Sequence, residues 1–164
     1  MNAYAQIAWG SAGWSGLVCE QLVDDEVCII CSPDFLERYG PLSSLEDVTK
    51  VPLIYTEGRP IDWDIVLDNA DIDLPGSAKS LTFIRPLPAV EAARNGLGAA
   101  ITSRVCVADL IASGDLVIPF DAQIRTASML SYSLVRPTHA INDTRLDKLR
   151  DSLRTELALT MPTD

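Results

Sequence analysis

The sequence predicts an α/β fold, and three observations carry that assignment. Ser80 to Phe120 reads as strand, helix, strand, helix, strand, with a stop signal at each join. Val27 to Cys31 is a short apolar run that leads directly into a helix start at Ser32-Pro33. A second strand-like run, Met129 to Val135, precedes a terminal stretch in which Leu146, Leu149, Leu153 and Leu157 recur at helical spacing.

Taken in order, Ala5 to Trp9 forms an opening strand, followed by a loop rich in Gly, Ser and Trp through Gly16. Leu17 to Leu22 and Glu26 to Cys31 are two extended segments separated by a turn at Asp24-Asp25. Ser32 caps a helix with Pro33 at its first position, and Gly40-Pro41 ends it. Ser43 and Glu46 have the spacing of a capping box for a short turn through Val48. Pro52 to Tyr55 is a strand, Asp62 to Leu67 a short helix carrying Trp63, and Asp68 to Ser80 a polar loop with Pro75 and Gly76.

In the central stretch, Pro88 suits an opening turn and Ala89, Val90, Ala92 and Ala93 are compact helix residues. Gly96 and Gly98 end the helix by allowing positive φ. Ala99 to Thr102 is a buried strand. Ser103 is placed to cap the next helix, with Val105, Val107, Leu110 and Ile111 on its apolar face, and Gly114 closes it before a strand at Leu116 to Ile118. Asn142 or Asp143 starts the terminal helix.

The length of 164 residues fits one domain or two small lobes with a sizeable core. Thirteen basic against twenty-three acidic residues give a net charge of −10, which opposes a sequence-independent grip on phosphate backbones. No direct nucleic-acid binding by this chain is expected. The apolar runs are far below the roughly 20 residues that span a bilayer, and the start lacks the pattern of a secretory signal, so no membrane partner and a cytoplasmic location are expected. Cys28 and Cys31 have C-x-x-C spacing, but residues three apart on a strand point to opposite faces and cannot chelate one ion. With Cys19 and Cys106 they read as free thiols, and no metal or cofactor is expected.

Enzyme signatures are weak. His139, the only histidine, lies in the loop Pro137-Thr138-His139-Ala140, where a catalytic triad has no natural frame. Asn95-Gly96-Leu97-Gly98 follows a helix and lacks the last glycine of a dinucleotide fingerprint. The acidic pairs Asp24-Asp25 and Glu46-Asp47 read as turn and cap residues, and Trp14 and Trp63 as packing under loops. No catalytic residue is assigned.

The central Ser80 to Phe120 pattern, with Val27-Cys28-Ile29-Ile30-Cys31-Ser32-Pro33 before it and Tyr132-Ser133-Leu134-Val135-Arg136-Pro137 after it, resembles the effector-binding domain of LysR-type transcriptional regulators. The loop Gly10 to Leu17 resembles that of the glycine-cleavage-regulator subgroup, and the likeness runs from about Ile7 to Leu157. The resemblance implies a two-lobed fold like that of type 2 periplasmic binding proteins. Here the first lobe is incomplete, made of residues 1–31 and 131–164, and the second spans residues 32–130. The family's winged helix-turn-helix is absent, so the chain reads as an N-terminally truncated, effector-sensing fragment. The rival readings are a free-standing solute-binding module and an enzyme on a similar fold.

By the same resemblance the effector sits between the lobes, near Trp9, Gly10 and Ser11, near Ile84, Arg85 and Pro86, and near Thr102 and Ser103. Strand ends and helix N-termini suit an anion, which implies a carboxylate or amino-acid-like ligand. Arg85, beside a helix start, is able to grip a carboxylate at two points, or else is a solvated surface residue. Thr102 and Ser103 either contact ligand or serve only as caps. Two departures stand out: Ala8 occupies the position where the family usually has Arg, and residues 84 to 86 lack the family's small hydroxyl side chains. A strand edge left open by the truncation implies a homo-oligomer in which another copy covers the strands Ala5 to Trp9 and Met129 to Val135, or the leucine face of the terminal helix.

Overall fold

A computed structural model describes residues 5–10, 13–75, 80–122, 124 and 130–160. The chain divides into two compact units, one of Met1–Glu26 with Thr126–Asp164 and the other of Val27–Arg125. Both crossings therefore fall before the expected boundaries at 31/32 and 130/131. The reason is strand pairing: β3 (Val27–Ile30), assigned from the sequence to the first lobe, is hydrogen-bonded to β6 (Ala99–Ser103) in the second.

The larger unit is built on a four-stranded sheet of order β3-β6-β4-β5, with β4 at Leu53–Thr56 and β5 at Ser80–Phe83. β4 runs parallel to both β5 and β6, while β3 runs antiparallel to β6. Alternation sorts the side chains. Cys28, Ile30, Ile54 and Ala100 point to the face covered by α4 (Pro86–Arg94), whose Ala89, Val90, Ala92 and Ala93 join one core with Val107 and Leu116. Ile29, Leu53 and Ile101 alternate to the other face and are also buried. The small alanines let α4 approach the sheet closely.

Local chemistry sets the connections. Ser32 caps α1 (Pro33–Tyr39) by accepting from the Phe35 N–H at 3.2 Å, and Gly40 ends it at φ 88. Asp62 caps α3 (Trp63–Asp68) in the same way. The buried Trp63 indole donates to the Ile54 carbonyl at 3.0 Å, fastening α3 to β4.

Four local expectations are revised. The cap of α2 (Leu45–Val48) is Ser44 rather than Ser43, whose N–H instead donates to Asp47. Lys50 and then the Ser43 N–H hold the Asp47 carboxyl below its ordinary range. Gly96 has the expected positive φ of 72, but Gly98 is required for another reason: a Cβ there would lie 2.8 Å from the Pro52 carbonyl oxygen and 2.9 Å from Ile54. Ser103 precedes a 3-10 turn, Arg104–Cys106, without capping it, and α5 spans Ala108–Ala112. The strand expected at Leu116 to Ile118 is a single bridge between Val117 and Cys31.

The smaller unit is an antiparallel sheet of order β1-β7-β2, with β1 at Gln6–Gly10, β2 at Leu17–Asp24 and β7 at Ser131–Pro137. β7 lies in the centre and is paired on both sides, which corrects the expectation that it offers unpaired backbone. Among the described residues no further strand pairs with the outer edges of β1 and β2. Met129, expected to open this strand, lies outside the described residues.

Helix α6 (Thr144–Thr160) packs on β2. Its leucine face is only partly inward, because Leu149 is 45% exposed. Charge does much of the fastening. Arg136, 3% exposed on β7, lies 2.7 Å from Glu20 of β2 and 3.0 Å from Asp147 of α6, and Arg150 reaches Glu20 at 2.5 Å.

Candidate functional site

In the larger unit three parallel strands, β4, β5 and β6, end at one edge, the location where an open α/β sheet receives ligands. At that edge stand Thr56 and the loop to Arg59 after β4, Ile84 and Arg85 after β5, and Thr102 and Ser103 at the end of β6. β4 and β6 are paired only through Leu53–Ala99 and Ile54–Ala100, so their ends diverge. A cavity of about 10 Å³, one water in size, lies between them, lined by residues that include Thr56, Arg59, Trp63 and Ile101.

The expected residues at this edge separate onto two faces. Thr102 follows Ala100 by two positions and faces α4, the side on which Arg85 and Pro86 stand. It is 2% exposed and its hydroxyl has no hydrogen-bond partner among the described residues. Ser103 faces the opposite way and is completely buried, where its hydroxyl accepts from Arg59 Nη2 at 3.0 Å. Arg59 escaped the sequence reading. The rule that pointed to the loops after β5 and β6 applies equally to the loop after β4, and Gly58-Arg59-Pro60 was the signal.

Pro86 opens α4 at its first helical position instead of preceding the helix, with Arg85 as the backbone cap in an extended conformation. This revises the electrostatics of the helix start. Pro86 and Pro88 carry no N–H, so Leu87 alone supplies a donor among the first three positions. The Arg85 guanidinium is the charged group that stands at this terminus. Arg85 is exposed and makes no side-chain cap bond, while Ile84 beside it is 80% exposed.

In the smaller unit Trp9 and Gly10 end β1. Gly10 has φ 145, a conformation that excludes a side chain, and Trp14 packs 3.8 Å from where a Cβ would sit. Trp9 is half-buried and its Nε1 donates to the Asp25 carboxylate at 2.6 Å. Ser11 lies outside the described residues.

A separate open cavity of about 390 Å³ lies at the opposite edge of the larger sheet, lined by residues that include Ser32, Asp34, Glu91, Arg94 and Asp115. Its single arginine is engaged by Asp115 at 2.6 Å. The buried Cys31 thiol is pushed up to about 12 by desolvation, which keeps it protonated at neutral pH. Among the described residues no group of three or more His, Cys, Asp or Glu is arranged to hold a metal ion, and no helix is long and apolar enough to cross a membrane.

Two compact units, one an α/β sheet and the other an antiparallel sheet with a terminal helix, give the fold of a two-lobed effector-binding domain. The chain belongs to the LysR substrate binding domain family, whose profile matches residues 6–158. It is similar to the glycine cleavage system transcriptional activator of Escherichia coli, with 29% identity over 115 residues, covering 70% of this chain and 37% of the relative. It is also similar to the HTH-type transcriptional regulator PerR of Escherichia coli, with 30% identity over 138 residues, covering 84% of this chain and 45% of the relative. The chain thus spans less than half the length of these curated relatives.

Among solved structures, the effector binding domain of AmpR from Citrobacter freundii shares the fold with a TM-score of 0.75 and 22% identity, over 94% of this chain and 74% of that one. The regulatory domain of CrgA from Neisseria meningitidis gives 0.71 and 23%, over 92% and 74%. Both curated relatives are transcriptional regulators.

Proposed function

We propose that this chain is the effector-sensing part of a cytoplasmic LysR-type regulator, taking a small carboxylate or amino-acid-like metabolite at its strand ends. The observation that supports the reading is that Arg85 and Pro86 follow β5, and Thr102 stands near the end of β6, at the same carboxyl edge of three parallel strands. Arg85 supplies charge. The buried Thr102 hydroxyl supplies an unused donor and acceptor, and Ile84 an apolar contact. Ser103 accepts a hydrogen bond from Arg59 at the same strand end. Ligand acts by favouring one arrangement of the domain over another.

A thermal-shift screen of small carboxylates and amino acids tests this reading, because a ligand that binds only the folded state raises its midpoint. At least one such compound raises the midpoint in a dose-dependent way. A flat response across the panel contradicts the proposal.

The net charge of −10 leads to a second expectation, that the isolated chain does not retard promoter DNA in a gel. A third concerns assembly. With β7 central and α6 seated on β2, the outer edge of β1, where Ile7 is 56% exposed, is the surface a second copy covers. Light scattering at micromolar concentration is expected to give a dimer or larger, and a compact monomer contradicts this.

A further inference from the structure

We propose that Asp25 is a positioning residue that fixes the Trp9 indole and, through it, ties the end of β1 to the unit boundary at Glu26–Val27 and to Leu130 at the start of β7. The inference rests on the proposed function only where it concerns ligand.

Trp9 lies on an edge strand, while Asp25 follows the strand at the opposite edge of the same sheet. In register Trp9 is opposite Tyr132, and Tyr132 is opposite Val23, so the indole extends over the central strand to reach Asp25. Two strand spacings, roughly 10 Å, are bridged by one side-chain bond of 2.6 Å. Asp25 is 6% exposed, so this charge-assisted bond is sheltered from water.

The backbone of Asp25 completes the arrangement. Its N–H donates to the Leu130 carbonyl at 2.9 Å, one step beyond the last ladder pair, Asp24–Ser131. Asp25 lies just before the unit boundary at Glu26–Val27, and Leu130 is the first described residue of the smaller unit's second segment. One residue thus links the end of β1 at Trp9 with the unit boundary at Glu26–Val27 and with Leu130 at the start of β7. A structural carboxylate needed only to cap β2 would have no use for an indole from the far edge.

Amide hydrogen exchange on the intact chain tests this. Trp9→Phe keeps an aromatic ring and removes the donor, and the Asp25 amide should then exchange about tenfold faster or more, as expected for loss of a hydrogen bond to a charged group. Amides of β3 and β6 should not change. Asp25→Asn, which keeps an oxygen acceptor for the indole but loses the charge, should raise exchange at residue 25 less than Trp9→Phe does. Unchanged exchange at Asp25 in Trp9→Phe overturns the proposal, as does a uniform rise across β1, β2 and β7, which would mean general loss of stability.

The ligand half is read separately, with acetate, glycine and glutamate as probes. A probe that raises the thermal midpoint should slow the Asp25 amide in the parent and not in Trp9→Phe. A probe that raises the midpoint without slowing that amide overturns the coupling to ligand. If none of the three raises the midpoint, that result counts against the proposed function, while the first comparison still decides the positioning role.

Discussion

The two units are held together by different physics. In the larger unit, the strands are apolar and buried on both faces of the sheet, and Ile29, Ile30, Leu53, Phe35 and Trp63 are each at most 1% exposed. In the smaller unit the sheet has three strands among the described residues, and its terminal helix is seated on it by Arg136, Glu20, Asp147 and Arg150. One unit relies on burial of area, which salt hardly touches. The other depends on a buried charge whose removal leaves its partners uncompensated.

The sharpest way to break this contrast is Arg136→Ala. Deleting one member of a buried ion network costs about 3–5 kcal/mol, and the loss should be confined to the smaller unit. Denaturant unfolding followed by residue-resolved exchange checks it, and equal loss in both units would mean that they unfold as one body. In the larger unit Leu53→Ala should cost about 2–5 kcal/mol by leaving a cavity, with little dependence on salt.

Smaller effects sharpen the picture. Thr102→Val removes a buried hydroxyl without a partner, so the chain should gain up to about 1 kcal/mol in the absence of ligand. A loss of stability would mean that the hydroxyl is satisfied in solution. Burial of Cys31 makes a prediction at high pH. Its folded value of about 12 lies above the ordinary 9.0, so the folded state binds more protons between those limits. Stability is complete below pH 9 and falls as pH rises towards 12. Cys31→Ala should flatten that part of the curve, while at pH 8 a thiol reagent should modify the exposed Cys106 and spare Cys31.

The contrast between the units also explains what was legible beforehand. The larger unit obeys local rules: apolar periodicity, Ser32 and Asp62 caps, and Gly40 and Gly114 stops, so its elements were placed to within a few residues. The errors there come from tertiary contacts. Gly98 is dictated by Pro52 and Ile54 across the sheet, and Ser103 is diverted from capping by Arg59, 44 residues away. In the smaller unit the decisive partners lie farther apart in the chain. Arg150 and Glu20 are 130 residues apart, and no local pattern in either segment announces the pair. The candidate site shows the same division. Arg85 and Pro86 were visible because a strand meets a helix there, whereas the missing donors of Pro86 and Pro88 acquire meaning only once α4 is seen to begin at residue 86.

In the proposed site, Arg85 carries the charge recognition at a proline-blocked helix start. Calorimetric titration of the strongest compound from the carboxylate and amino-acid screen into the parent chain and into Arg85→Ala tests it most directly. Affinity should weaken by about 1.5–3 kcal/mol, the worth of hydrogen bonds to a charged group, with the thermal midpoint of the unliganded variant unchanged. Equal affinity in the two proteins would contradict it and make Arg85 an ordinary surface residue.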